Sequence, residues 1–77
     1  MINSLRNYLN DNAFRINFTD RMINIINYIE VITLEDNRIS IRYCNGMLII
    51  KGKDLSVNKM MDDEILITGV IKSVEFE

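Results

Sequence analysis

Residues 38–51 read RISIRYCNGMLIIK, and this stretch decides the fold class. Ile39, Ile41 and Tyr43 alternate with Arg38, Ser40, Arg42 and Cys44, the two-residue period of a half-buried strand. Asn45-Gly46 follows, a pair whose side chains tolerate the left-handed angles of a type I′ hairpin turn. Residues 47–51 then form an aliphatic return strand. A two-residue loop at Asn45-Gly46 sets Cys44 opposite Met47, Tyr43 opposite Leu48 and Ile41 opposite Ile50. The other face carries Arg42 opposite Ile49, Ser40 opposite Lys51, and Arg38 opposite Lys53. Like charges directly opposite are unfavourable. An acidic neighbour is therefore expected, from an adjacent strand, the Asp62-Asp63-Glu64 turn or a partner.

Working outward, the same period recurs. Phe14, Ile16 and Phe18 alternate with Arg15, Asn17 and Thr19, and Asp20-Arg21 breaks the run. Residues 22–35 are β-branched and apolar on both sides of the alternation, which reads as one long bent strand or as two strands with a bulge near Asn27. Asp36-Asn37 is a turn pair. Downstream, Gly52-Lys53 and Asp62-Asp63 are expected to turn the chain around strands over residues 55–60 and 64–68. Gly69 interrupts the last stretch, where a bulge, a bend or a close backbone approach is expected.

Residues 2–11 carry helical spacing at Ile2, Leu5 and Leu9, with Asn3 or Ser4 as cap. The expected architecture is a single all-β domain over residues 1–77. Residues 1–12 form a short helical extension, and residues 13–77 form a small antiparallel sheet or roll of six or seven short strands. A short β-solenoid-like stack is the alternative, against which the tight hairpin argues. Ile65 and Ile67 point one way while Leu66 and Val70 point the other. Either the chain folds into two layers or one face is an interface, and homo-oligomers are an expected outcome.

Composition removes most chemistry. The 77 residues include no histidine, proline or tryptophan and one cysteine. No imidazole-based triad, metal ligand or intrachain disulfide is available. A chain of this length buries only about 60% of the surface its unfolded form exposes. Nine basic and eleven acidic residues leave a net charge of −2, the wrong sign for a protein living on phosphate backbones. The fourteen Ile and ten Asn point to genome composition and favour strands. No signal peptide and no run of about 18 apolar residues is visible, so a cytoplasmic protein is expected.

Four local features invite chemistry and are better read without it. Asp62-Asp63-Glu64 lacks the spaced ligands of a calcium loop and reads as a solvated turn. Gly46 to Gly52-Lys53-Asp54 is one residue too long for a phosphate loop and lacks its hydroxyl residue. Arg38, Arg42, Lys51 and Lys53 form a basic face, but Tyr43 points away from it and no aromatic interleaves. A protein contact fits that face better than nucleic acid. Cys44 has no resolving partner or base and reads as a bystander thiol.

The ordered series resembles the YabP/YqfC family of sporulation proteins. GMLIIKGKDLSV at 46–57, ILITGVI at 65–71 and VEF at 74–76 follow its pattern. That pattern runs from a glycine through alternating aliphatics to a second glycine, then an Ile-x-Gly-x-Ile segment ending in an aromatic. Ile26-Asn27 and residues 31–34 match the part leading into Ile39, so the resemblance covers about residues 14–76. Leu34 stands where an aromatic is common, and Met47 occupies a variable slot.

The resemblance implies a small soluble protein of endospore-forming Bacillota, associated with spore development and coat assembly and without known catalysis or cofactor. It places the protein in the mother cell or developing spore. Only Gly46, Gly52 and Gly69 carry over, as structural positions, beside Asn45 of the turn. The expectation is a non-enzymatic structural or interaction protein with no cofactor and no nucleic acid. Protein partners are expected, and peripheral membrane association through one of them stays open. The alternative is a regulatory module binding through Arg38, Arg42, Lys51 and Lys53.

Overall fold

The computed structural model describes residues 13–77, and the helix expected over residues 2–11 lies outside them. The β-branched segments form β1 (Arg15–Phe18), β2 (Met22–Ile26), β3 (Glu30–Leu34), β4 (Arg38–Tyr43), β5 (Gly46–Met60) and β6 (Glu64–Phe76). They make one six-stranded sheet in the order β1-β2-β6-β5-β4-β3, every neighbouring pair antiparallel. The antiparallel sheet stands and the solenoid alternative does not, but the order is no simple meander, because β2 pairs with β6 and the chain then crosses to the far edge to form β3.

Residues 22–35 divide at Asn27, whose φ of 66° stops the ladder. The products, β2 and β3, do not pair with each other but belong to opposite halves of the sheet. The turn expected at Gly52-Lys53 is absent: β5 runs through it, because β5 and β6 pair with each other over most of their lengths. β6 runs through Gly69, where the expected close backbone approach is made by the Asp54 carbonyl. Bulges take up the irregularity instead, between Lys51 and Gly52, Lys53 and Ser56, and Val57 and Lys59. Bulges strengthen local twist, which lets long strands bend.

The central hairpin also differs from the expected register. β4 and β5 pair Tyr43 with Gly46, Arg42 with Met47, Ile41 with Leu48, Ile39 with Ile50 and Arg38 with Lys51. The two-residue loop is thus Cys44-Asn45, not Asn45-Gly46. Neither Cys44 nor Asn45 has positive φ; Gly46 does, at 151°. The cause lies downstream. Met47 and Glu77 exchange both backbone hydrogen bonds, at 3.0 and 2.8 Å, so the chain end runs along the start of β5. A Cβ on Gly46 would overlap the Glu77 carbonyl. The slip is two residues, so every side chain keeps its face.

The sheet curls into a two-layered roll. Four strand spacings separate β1 from β4, about 19 Å in a flat sheet. Yet Phe14, at the mouth of β1, stacks on Tyr43 of β4 with ring centroids 4.3 Å apart. Phe76 meets both rings edge-on at 6.4 and 5.9 Å. Inside lies one aliphatic cluster of Ile23 and Ile25 from β2, Ile39 and Ile41 from β4, Leu48, Ile50 and Leu55 from β5, and Ile65 and Ile67 from β6. Two-sided hydrophobicity in the last strands therefore resolves in part as folding over. Ile65 and Ile67 are fully buried, whereas Val70 is exposed.

Each outer hairpin docks its turn on a bend of the central pair. Asn37 and Asp36 accept hydrogen bonds from the Gly52 and Leu55 amides at 3.1 and 2.8 Å. Likewise Arg21 and Asp20 accept from Gly69 and Ile71 at 3.1 and 2.9 Å. The bends are tight. Asp54 has a φ of 56° and Gly69 one of 135°, and the two face each other across the ladder.

Candidate interaction surfaces

The four basic residues share the outer face of β4 and β5, alternating with the buried Ile39, Ile41, Leu48 and Ile50. Their neighbours differ from the expected ones. Arg38 lies opposite Lys51 and Arg42 opposite Met47, while Lys53 pairs across with Val70 of β6. The acidic neighbours come from adjacent strands. Arg42 Nε lies 3.2 Å from Glu30 Oε1 of β3, and Lys51 Nζ lies 3.5 Å from Glu75 Oε2 of β6. Both pairs are about half exposed and fix little energy in water. Arg38 and Lys53 have no ion-pair partner among the described residues. Ser40 and Ile49, register partners on this outer face, are 1% and 3% exposed.

The acidic turn is spoken for by structure. The Asp63 carbonyl accepts from the Asn27 amide at 2.6 Å, and Glu64 accepts from Asn24 Nδ2 at 2.9 Å. Among the described residues, no group of three or more Cys, Asp or Glu side chains is placed to hold a metal ion. Cys44 is exposed at the hairpin tip. No helix of the described residues is long and apolar enough to cross a membrane.

All three glycines sit where another backbone passes close. A Cβ on Gly52 would overlap the Val70 carbonyl, as one on Gly46 would overlap that of Glu77. On Gly69 it would stand 2.6 Å from the Asp54 carbonyl oxygen. The glycines thus let the backbones of the central strands approach closely.

The open surfaces are the sheet edges. Among the described residues nothing pairs with the outer side of β1 or of β3. In an antiparallel pair, hydrogen-bonded and non-bonded positions alternate. Thr19 bonds Met22 at 2.8 Å, so the backbone groups of Ile16 and Phe18 point outward. Glu35 bonds Arg38 at 2.9 Å, so those of Leu34 do the same. The Met47–Glu77 pair likewise turns Val74 and Phe76 outward on the last part of β6.

These edges are apolar. Phe18 and Leu34 are each 57% exposed, Phe76 51% and Ile32 44%. Phe18, Thr19 and Asp20 face residues 71–74 across an open notch of about 340 Å³. The alternation of Phe14, Ile16 and Phe18 was legible in the sequence. That β1 is an edge was not, because strand order depends on distant partners.

No curated protein and no solved structure matches the chain. The model of the YabP family matches residues 11–77. That span takes in all six strands, both open edges and the three close-packed glycines, and the chain belongs to the YabP family.

Proposed function

We propose that this chain is a non-catalytic protein of sporulation, acting as a structural or interaction protein in spore development or coat assembly. Family membership supports the sporulation context. The observation that carries the contact role is the pair of apolar sheet edges that nothing pairs with among the described residues, with no proline along them. Unpaired edges are templates for further strands, and natural sheets usually blunt them. The protein works in the cytoplasm of the mother cell or developing spore, through protein partners or further copies of itself.

The test is genetic and cytological. In an endospore-forming host, loss of the gene should reduce heat-resistant spores, and a tagged copy should concentrate at the developing spore. Normal spores from the deletion strain, with the tagged protein spread evenly through vegetative cells, would sink the proposal.

Arg38 and Lys53, which have no ion-pair partner among the described residues, favour a second reading, a regulatory module that binds an acidic protein surface. Replacing both with Ser should then release the partner while stability holds or rises, since Arg38 and Lys51 repel across the ladder. Unchanged partner recovery would dismiss it.

A further inference from the structure

We infer that β1 of one copy pairs with β3 of a second, antiparallel and head to tail. This interface rests on the contact role proposed above and names its occupant as another copy of this chain. The outward backbone groups fix the register. Ile16 of one copy must meet Leu34 of the next, because both point their amide and carbonyl away from their own sheet. Partner positions then run Arg15 to Glu35, Ile16 to Leu34 and Asn17 to Thr33, and they bring Phe18 beside Ile32, the residue bulged out of the β3–β4 ladder.

Each pair is matched in kind. Arg15 and Glu35 are exposed and have no ion-pair partner among the described residues. Ile16 and Leu34 lie on the inner faces of their own layers, so the joined sheet continues one apolar side. Asn17 and Thr33 meet on the polar outer side. Phe18 and Ile32, 57% and 44% exposed alone, cover one another.

Like-with-like pairing lacks this match. When β1 meets β1 with outward groups opposed, Arg15 faces Asn17, Thr19 or Arg21, and never a carboxylate. The two edges therefore differ in charge as well as in sequence. A contact between unlike edges leaves one free edge on each copy, so it builds a chain of copies or closes into a ring rather than stopping at a two-fold dimer. Four residues a side make a small contact, so assembly should build only at high local concentration.

Disulfide trapping tests the register directly. In the proposed ladder Asn17 and Thr33 occupy a non-hydrogen-bonded pair, with Cα atoms about 4.5 Å apart and within disulfide reach. With Cys44→Ser in the background, Asn17→Cys mixed with Thr33→Cys should give mixed dimers on mild oxidation. Either variant alone should give none. The double variant Asn17→Cys/Thr33→Cys should give a ladder of multimers. Arg15→Glu should weaken association about tenfold, and adding Glu35→Arg should restore it.

Homodimers of Asn17→Cys alone would overturn the head-to-tail arrangement. A wild-type oligomer whose cysteine mixture stays uncrosslinked would overturn this interface while leaving the contact role intact. Wild-type protein that sediments as a monomer from micromolar to millimolar concentration removes self-contact altogether. Failure of the spore phenotype, by contrast, strikes the proposed role and not the interface.

Discussion

Replacing Gly69 with alanine loads the corner on which the two layers turn. Gly69 has a φ of 135°, a conformation that costs a residue with a Cβ about 1–3 kcal/mol. The added methyl would also stand 2.6 Å from the Asp54 carbonyl oxygen and 3.0 Å from Leu55 Cα. Those are backbone atoms, and they cannot swing aside as a side-chain tip does. The Leu55 amide is tied to Asp36 at 2.8 Å, and the Gly69 amide to Arg21 at 3.1 Å. Strain and displacement together should remove about 3 kcal/mol.

A domain of this length holds about 4–12 kcal/mol in total. The melting temperature should fall by about 12–24 °C. Far-UV circular dichroism during heating and urea titration gives the number without a tryptophan. Val70→Ala, one residue along and 38% exposed, is the control and should change stability by less than about 1 kcal/mol. If Gly69→Ala stays within about 1 kcal/mol of the wild type, the corner is not built as described.

Other perturbations separate the core from the surface. Ile50→Ala deletes a fully buried side chain shared between the layers and should cost about 2–5 kcal/mol by urea denaturation. Arg42→Ala and Lys51→Ala each break a half-exposed ion pair and should cost less than about 1 kcal/mol; a larger loss would show that the basic face is structural. Phe14→Leu removes the ring stacked on Tyr43, which should cost about 1 kcal/mol beyond lost area and alter the near-UV tyrosine signal. Tyr28→Phe removes the hydroxyl that donates to the Met61 carbonyl at 2.8 Å, and a loss of about 0.5–1 kcal/mol is expected at this exposed site.

Strand faces were easy to read because the period of two is local. Ile39, Ile41, Leu48 and Ile50 were placed on one side from spacing alone, and all four are buried. Hairpin register was harder. A slip of two residues preserves every face, so the hydrophobic pattern is blind to it, and the Asn-Gly pair suggested the wrong loop. The sheet edges were legible only in part. Ile16 and Phe18 showed the alternation of a strand, but nothing local distinguishes an edge strand from a central one.

The sequence by itself determined the class of the molecule. Without histidine and proline, and with fourteen isoleucines in alternating runs, the chain is bound to ladders and barred from imidazole chemistry. It also placed the turn at Asp36-Asn37 and the run that marks the YabP family, and it left open whether residues 22–35 form one bent strand or two, which the left-handed Asn27 decides. Tertiary structure decided the rest. Glu77 lies over Gly46 and so selects the hairpin register, 31 residues away in sequence. Long pairing of β5 with β6 replaced the turn expected at Gly52-Lys53 with bulges, because a continued ladder satisfies more backbone groups than an exposed turn. The same pairing left β1 and β3 at opposite edges, one presenting Arg15 and the other Glu35. Which backbone groups remain free is a property of the assembled sheet, and no local stretch of residues encodes it.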